Sequence, residues 1–301
     1  MNKIRTIFPI GILMLCACAS PSPATPPDVP TADPTVTATL IPTSLPPSIT
    51  PAPVITMPPG FSPIMYGKKY DANTFFLLLG GVLGSDWIAP DAVTDQFAAE
   101  WDYDVYTLSE SFQVLGYAPD FSPPNQLYTI GTDVMVDKAG MVAVAKGWPV
   151  LQRDAEELSS ENVFYQQVVL DWLKLEGVSA PESGLLTIFR VDIEGDGVDE
   201  IFINAVHLDE SQHTTRAGDY SIILMRKVAG NDAVTVPVVA DVYRSQEARV
   251  TFPKTYSTNN FIDLNQDGVL EIVVGIEKWE GDGAAVYQIN GQQVVECLRL
   301  E

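Results

Sequence analysis

The chain has 301 residues, with 17 basic and 39 acidic side chains, a formal net charge of -22 and 46% hydrophobic content. That is enough apolar material for one large or two small packed domains, which excludes wholesale disorder. So acidic a surface repels phosphate backbones and anionic headgroups, which excludes nucleic-acid binding and docking through a basic patch and leaves cations as the natural small partners.

Residues 1–18 carry Lys3 and Arg5 and no acid, and an apolar run from Ile7 to Leu15 is interrupted by Pro9 and Gly11. The run has the length of a signal-peptide core and is too short to span a bilayer. It ends in Leu15-Cys16-Ala17-Cys18, which resembles the bacterial lipoprotein lipobox: an aliphatic residue at minus three, a small one at minus one, then the cysteine. Cys18 fits that pattern, and Cys16 does not, because Leu15 is too bulky for the minus-one place. The resemblance implies cleavage before Cys18, lipidation of Cys18, and an extracytoplasmic protein held to the membrane of the cell envelope by its N-terminal lipid.

Residues 19–60 are rich in Pro, Thr, Ser and Ala, with Asp28 and Asp33 the only charges and no aromatic side chain. Such a stretch cannot build a core. As polyproline II, at about 3.1 Å per residue, it reads as a stalk on the order of 100 Å long. Cleavage before Cys18 and its lipidation would leave Cys297 as the single thiol of the folded region, so no intrachain disulfide is available and stability must come from core burial, from metal, or from both.

From Phe61 onward the chain reads mostly as strand. Short runs bounded mainly by Gly, Pro, Asn or Asp are expected at Phe75 to Leu83, Asp104 to Leu108, Gln126 to Ile130, Met141 to Lys146, Leu185 to Val191 and Glu200 to Val206. Others are expected at Tyr220 to Arg226, Val234 to Tyr243, Glu271 to Ile276, Ala284 to Ile289 and Val294 to Leu298. One helix interrupts them: Asp154 or Ser159 can cap it, Tyr165, Val168, Val169, Trp172 and Leu173 recur at helical spacing, and Gly177 ends it. A soft boundary near Trp148 to Ser159 separates an N-terminal β subdomain (61–150) from a helix-plus-repeat domain (151–301).

The strongest internal signal is a duplication. The segment beginning Asp192-Ile-Glu-Gly-Asp-Gly-Val-Asp-Glu-Ile and that beginning Asp263-Leu-Asn-Gln-Asp-Gly-Val-Leu-Glu-Ile share the skeleton D-x-[E/N]-x-D-G-x-x-E-I. Calcium is a hard cation that takes six to eight oxygens, and side chains at alternating positions of a tight loop converge on one point. One ion would be surrounded by Asp192, Glu194, Asp196 and Glu200 with the carbonyl of Val198. A second would be surrounded by Asp263, Asn265, Asp267 and Glu271 with the carbonyl of Val269. Gly197 and Gly268 supply the turn. With four carboxylates against three, the first loop should bind more tightly, unless Glu194 is too long to fit, and Asp199 reads as a solvated bystander.

Position twelve is Ile203 in one copy and Val274 in the other, and the flanks read as strand, so neither is an EF-hand. A nine-residue loop running straight into a buried strand resembles the FG-GAP and VCBS repeats of integrin-α-type propeller blades and bacterial surface proteins. The run Trp279 to Tyr287 is similar to the segment that succeeds such a loop within a blade. The resemblance covers roughly Leu185 to the C-terminus and implies calcium as the cofactor. It departs from the family in using Glu at position three of the first copy and at position nine of both. Two copies are too few for a closed propeller. The expected fold is therefore mainly β: blade-like antiparallel hairpins carrying two DxxxDG loops, with one packed helix.

Catalytic constellations are scarce. There is no G-x-S-x-G elbow, H-E-x-x-H or Walker A loop. His207 to His213 offers imidazoles and carboxylates off the spacing of known zinc motifs, and reads as a solvated loop. Trp87, Trp101, Tyr103, Tyr106, Tyr117 and Tyr128 suit a β core better than a sugar-stacking face. The leading expectation is a non-enzymatic, calcium-binding surface lipoprotein acting as a binding, adhesion or structural module toward an extracellular protein or carbohydrate. The alternative is an extracytoplasmic hydrolase that uses paired carboxylates on polysaccharide.

Overall fold

The computed structural model describes residues 58–301 apart from 71–72, 94–99, 123–126, 134–137, 139, 209–213, 245–249, 251 and 280. The expected signal segment with Cys18 and the stretch 19–57 lie outside these residues, as does His213. The protein is mainly β, and every strand pairing among the described residues is antiparallel.

An N-terminal sheet is built from β1 (Phe61–Tyr70), β2 (Asn73–Leu83), β3 (Asp86–Ile88), β4 (Trp101–Tyr106), β5 (Ser111–Gly116), β6 (Asp120–Ser122), β7 (Leu127–Gly131) and β8 (Met141–Ala145). Its order is β5-β4-β8-β1-β2-β7-β6, with β3 on β2. It curls into a half-barrel whose ends are drawn together by a bridge between Gly116 and Thr132. The concave face encloses Met65, Phe76, Leu78, Tyr103, Val105, Ile130 and Met141, and the short helix α1 (Pro90–Val93) adds Val93. Tyr103 is thus core, while Trp101 and Tyr128 pack at its margin.

Two four-stranded meanders come next in the chain. The first runs β10 (Leu185–Val191), β11 (Glu200–His207), β12 (Tyr220–Ala229) and β13 (Asp232–Val242), with β9 (Glu156–Leu158) added at the β10 edge. The second runs β14 (Thr255–Ile262), β15 (Glu271–Lys278), β16 (Gly281–Asn290) and β17 (Gln293–Leu300). In each, the acidic loop joins the first strand to the second, so the sequence duplication is a duplication of blade-like sheets. No propeller closes among the described residues.

The layers arise from side-chain alternation. On β15 and β16, Ile272, Val274, Ile276, Ala285, Tyr287 and Ile289 meet Phe189, Phe202, Ile223 and Met225 of the first meander. Val273, Ala284 and Val286 point the other way, against Ile64, Leu77, Leu79, Val142 and Val144 of the half-barrel. The second meander is therefore the middle layer, and the near-continuous apolar run of β15 is what burial on both faces demands. The outer face of the first meander is covered by α2 (Val163–Leu175), through Val169 and Leu173 against Ile188, Ile203, Ile222 and Leu224.

Among the departures from the sequence reading, which also placed no strand at β3, β5, β6 or β9, three have a clear physical reason. The helix is capped by Asn162, whose side chain accepts the Phe164 N–H at 3.1 Å, and not by Asp154 or Ser159. Glu156 to Leu158 pair with Arg190 to Ile188, so the chain is held as strand until it leaves that edge. The helix does end at Gly177, which adopts φ 90 while Gly177 and Val178 donate to Lys174 and Leu173, a Schellman closure.

Second, β1 escapes the strand rules because Pro63 interrupts it; β8 pairs only with Met65 to Gly67, so the missing N–H costs no ladder bond there. Third, β14 is polar yet buried. Thr258 donates to Asn204 at 2.7 Å, and Asn260 donates to the Tyr106 carbonyl at 3.2 Å and accepts from Gln152 at 3.0 Å. Its polar side chains join all three sheets and satisfy each other.

Candidate functional site

Both acidic loops close on themselves in the same way. The first aspartate accepts backbone N–H groups across the turn. Asp192 takes Gly195 at 2.6 Å, Gly197 at 2.8 Å and Asp196 at 3.2 Å, and Asp263 takes Gln266 at 2.7 Å and Gly268 at 3.0 Å. Asp196 and Asp267 each accept from the valine two residues on, Val198 at 2.8 Å and Val269 at 2.9 Å. The glutamates at position nine reach back to the second loop residue: Glu200 accepts Ile193 N–H at 3.1 Å and Glu271 accepts Leu264 N–H at 2.7 Å. Ile193 and Leu264 are fully buried apolar plugs that anchor each loop to its core.

The turns need left-handed residues at positions four and six: Gly195 (φ 71) and Gly197 (φ 86) in one copy, Gln266 (φ 64) and Gly268 (φ 88) in the other. At Gly195 a Cβ would also stand 2.4 Å from the Arg153 guanidinium.

Arg153 ties the two loops together. It donates to the Ile193 carbonyl at 2.7 Å and the Gly268 carbonyl at 2.9 Å. Beside it the Leu270 N–H donates to Ile193 O at 2.9 Å. Asp199 is exposed and pairs with Arg190 at 3.5 Å.

The electrostatics separate the two copies. In the first, the Lys227 ammonium lies 2.8 Å from Glu194 and 3.8 Å from Glu200, and Lys227 is only 8% exposed. In the second, no lysine or arginine among the described residues pairs with Asp263, Asp267 or Glu271. The polar partners there are amides: Gln288 donates to Asp267 at 2.7 Å, and Asn265 donates to it at 3.1 Å. Glu271 is 0% exposed, and its Oε1 has no hydrogen-bond partner.

Burial pushes the Glu271 carboxyl up to about 8; the Leu264 N–H opposes the shift, and the charges of Asp267 and Asp263 add to it. Burial likewise raises Asp263, against its backbone donors Gly268 and Gln266. Asp192 goes the other way: burial works to raise it, but the N–H groups of Gly197, Gly195 and Asp196 and the Arg153 cation outweigh that and hold it below the usual carboxylate range. Glu200 is raised by burial, with the Ile193 N–H and Lys227 opposing and Glu194 and Asp196 adding.

The structure thus gathers the sequence-predicted residues into two adjacent loops. No set of three or more Asp, Glu, His or Cys side chains among the described residues converges into a cage ready for a metal. The carboxylates are instead turned onto their own backbone donors, and an incoming ion would have to draw them off.

Sequence reasoning missed Arg153, Lys227 and Gln288. Strand register explains the last two: Ile201 faces Arg226 and Ile272 faces Tyr287, so one step further Lys227 stands opposite Glu200 and Gln288 opposite Glu271. They are equivalent positions of the duplication. Alignment hides this because the connection from His207 to Tyr220 is far longer than that from Lys278 to Gly281.

A groove of about 430 Å³ between α2 and β12–β13 is lined by Phe164, Trp172, Leu175 and Arg226 and holds one carboxylate, Asp171, which is engaged by Lys174 and Gln167. It lacks the facing pair of acids that glycoside hydrolysis needs. His207 stacks on Tyr220 with ring centroids 5.7 Å apart. No helix among the described residues is long and apolar enough to cross a membrane. No protein-family model, no curated protein and no solved structure matches this chain.

Proposed function

We propose that this chain is a lipid-anchored, extracytoplasmic calcium-binding β module that serves as a binding, adhesion or structural element of the cell envelope. The observation that carries the calcium reading is Glu271: a carboxylate with no exposed surface, one oxygen unpartnered, turned into a loop that already holds Asp263, Asn265 and Asp267. A buried, orphaned carboxylate oxygen is costly on its own. A hard divalent cation relieves it by supplying the missing partner and neutralising its neighbours.

The anchor reading rests on Leu15 to Cys18 and on the Pro-rich segment directly after them. It predicts that Cys18→Ser moves the protein from the membrane fraction to the soluble exported fraction, and unchanged membrane retention would overturn it.

Calcium is tested by calorimetry and thermal melting of chelator-stripped protein. Extracellular calcium modules bind at about 0.1 to 1 mM, and an ion at ten times its dissociation constant adds about 1.4 kcal/mol. Calcium should raise the melting temperature, magnesium should do so poorly, and Asp263→Asn should remove the shift. Absence of binding at millimolar calcium sinks the reading.

A further inference from the structure

The two loops share a skeleton and a strand register, and differ in what stands opposite the position-nine glutamate. Opposite Glu200 is Lys227, nine-tenths buried, with its ammonium against two of the carboxylates that would otherwise hold an ion. Opposite Glu271 is Gln288, a neutral amide that reaches Asp267 and leaves a Glu271 oxygen unpartnered.

We infer that Lys227 is a built-in cation that occupies the first loop's ion site, so the chain takes up one calcium ion, in the second loop, and the first loop is metal-independent. This rests on the calcium reading of the second loop. It also reverses the affinity order expected from carboxylate number, for a physical reason. A tethered ammonium is present at an effective concentration far above that of a free ion. A calcium ion entering beside it would meet its like charge at close range and would have to displace a paired, desolvated lysine. The second loop offers an entering ion the opposite circumstances: an unpaired buried oxygen, crowded acids and, among the described residues, no cation to evict. Each glutamate faces the next layer of the fold, Glu200 with Phe202 toward the second meander and Glu271 with Val273 toward the half-barrel. One copy therefore seals its layer with an internal ion pair and the other with a metal.

Isothermal titration of the chelator-stripped full chain with calcium alone decides this. Wild type should bind one equivalent. Asp192→Asn should leave that binding unchanged, and Asp263→Asn should abolish it. Lys227→Met should create a second calcium site, and Gln288→Lys should reduce binding to none by giving the second loop its own ammonium. Two equivalents in wild type, or loss of the ion in Asp192→Asn, would overturn the inference while leaving calcium binding intact. Retention of the ion in Gln288→Lys would overturn it equally. No binding in wild type would overturn the calcium reading and, with it, the uptake of one ion in the second loop; one equivalent in Lys227→Met would then still assign the first site to the lysine, and none would overturn that assignment as well. The Asp192, Asp263 and Gln288 variants keep the test decisive if the lysine variant does not fold.

Discussion

The first and second loops are the same turn, with the same backbone closure, and yet they stand in opposite electrostatic states. Asp192 is held below the usual carboxylate range, with Arg153 beside it and Lys227 on the neighbouring acids. Asp263 and Glu271 are pushed above it by burial, with no ion pair to a lysine or arginine among the described residues. Loop geometry is therefore set by short-range backbone hydrogen bonds, whereas charge state is set by whichever side chain the adjacent strand delivers. A duplicated motif need not be a duplicated site.

The largest effect that sharpens this contrast is a pH dependence of the calcium-free protein. Glu271 has its ordinary value of 4.5 in the unfolded chain and about 8 when folded. Below 4.5 both states hold the proton and stability is full. Between 4.5 and about 8 the unfolded chain releases a proton that the folded one keeps, so stability falls as pH rises, by up to about 1.4 kcal/mol per pH unit. Urea midpoints under chelation from pH 5 to 8 should show this fall. Glu271→Gln should flatten most of it, since Asp263 and Glu200 are also raised but are opposed, Asp263 by the Gly268 and Gln266 N–H groups and Glu200 by the Ile193 N–H and Lys227. A wild-type profile indistinguishable from that variant would break the comparison.

Next comes Lys227. Replacing it with Met leaves Glu200, 2% exposed, beside Glu194 without a counter-charge, and removing one partner of a buried pair costs about 3 kcal/mol. Chemical denaturation without calcium should show that loss, and adding Glu200→Gln should recover much of it. A cost below about 0.5 kcal/mol would mean the pair behaves as a surface contact.

Arg153→Ala should cost about 2 kcal/mol, because two carbonyls, Ile193 and Gly268, lose a charged donor. Arg153→Lys should recover part of this, since a single ammonium does not match the guanidinium fork that spans both loops. The variant also tests whether the loops are coupled: hydrogen exchange should accelerate at Gly195 and Gly268 together.

The smallest effect is an equality. Gly197 and Gly268 have φ 86 and 88, and neither would bring a Cβ within 4 Å of anything. Alanine at either therefore pays only for left-handed backbone, about 1 kcal/mol each. Matched losses in thermal melts would confirm that the two turns differ in charge and not in backbone.

Much of the fold was legible because it is written locally. Alternating and continuous apolar runs give away β8, β10, β11, β12 and β15, helical spacing gives away α2, and the skeleton from Asp192 to Glu200 and from Asp263 to Glu271 puts its oxygens on one turn. Such signals need only a few consecutive residues, and the steric and hydrogen-bonding rules that read them act over the same distance. The amino-acid sequence by itself therefore determined that the chain is mainly β, that it holds two copies of one acidic turn, and that one helix packs on it.

Tertiary structure decided the rest. Strand β14 is polar and is recruited only because Asn204, Tyr106 and Gln152 satisfy it. Asn162 becomes the cap because β10 captures Glu156 to Leu158 first. Lys227 and Gln288 become counterparts through pairing register, across hairpins of unequal length that no linear comparison aligns. A carboxylate's charge state depends on what stands within a few ångströms of it in space. Only the folded chain brings Lys227 to Glu194 and leaves Glu271 with an oxygen unmet.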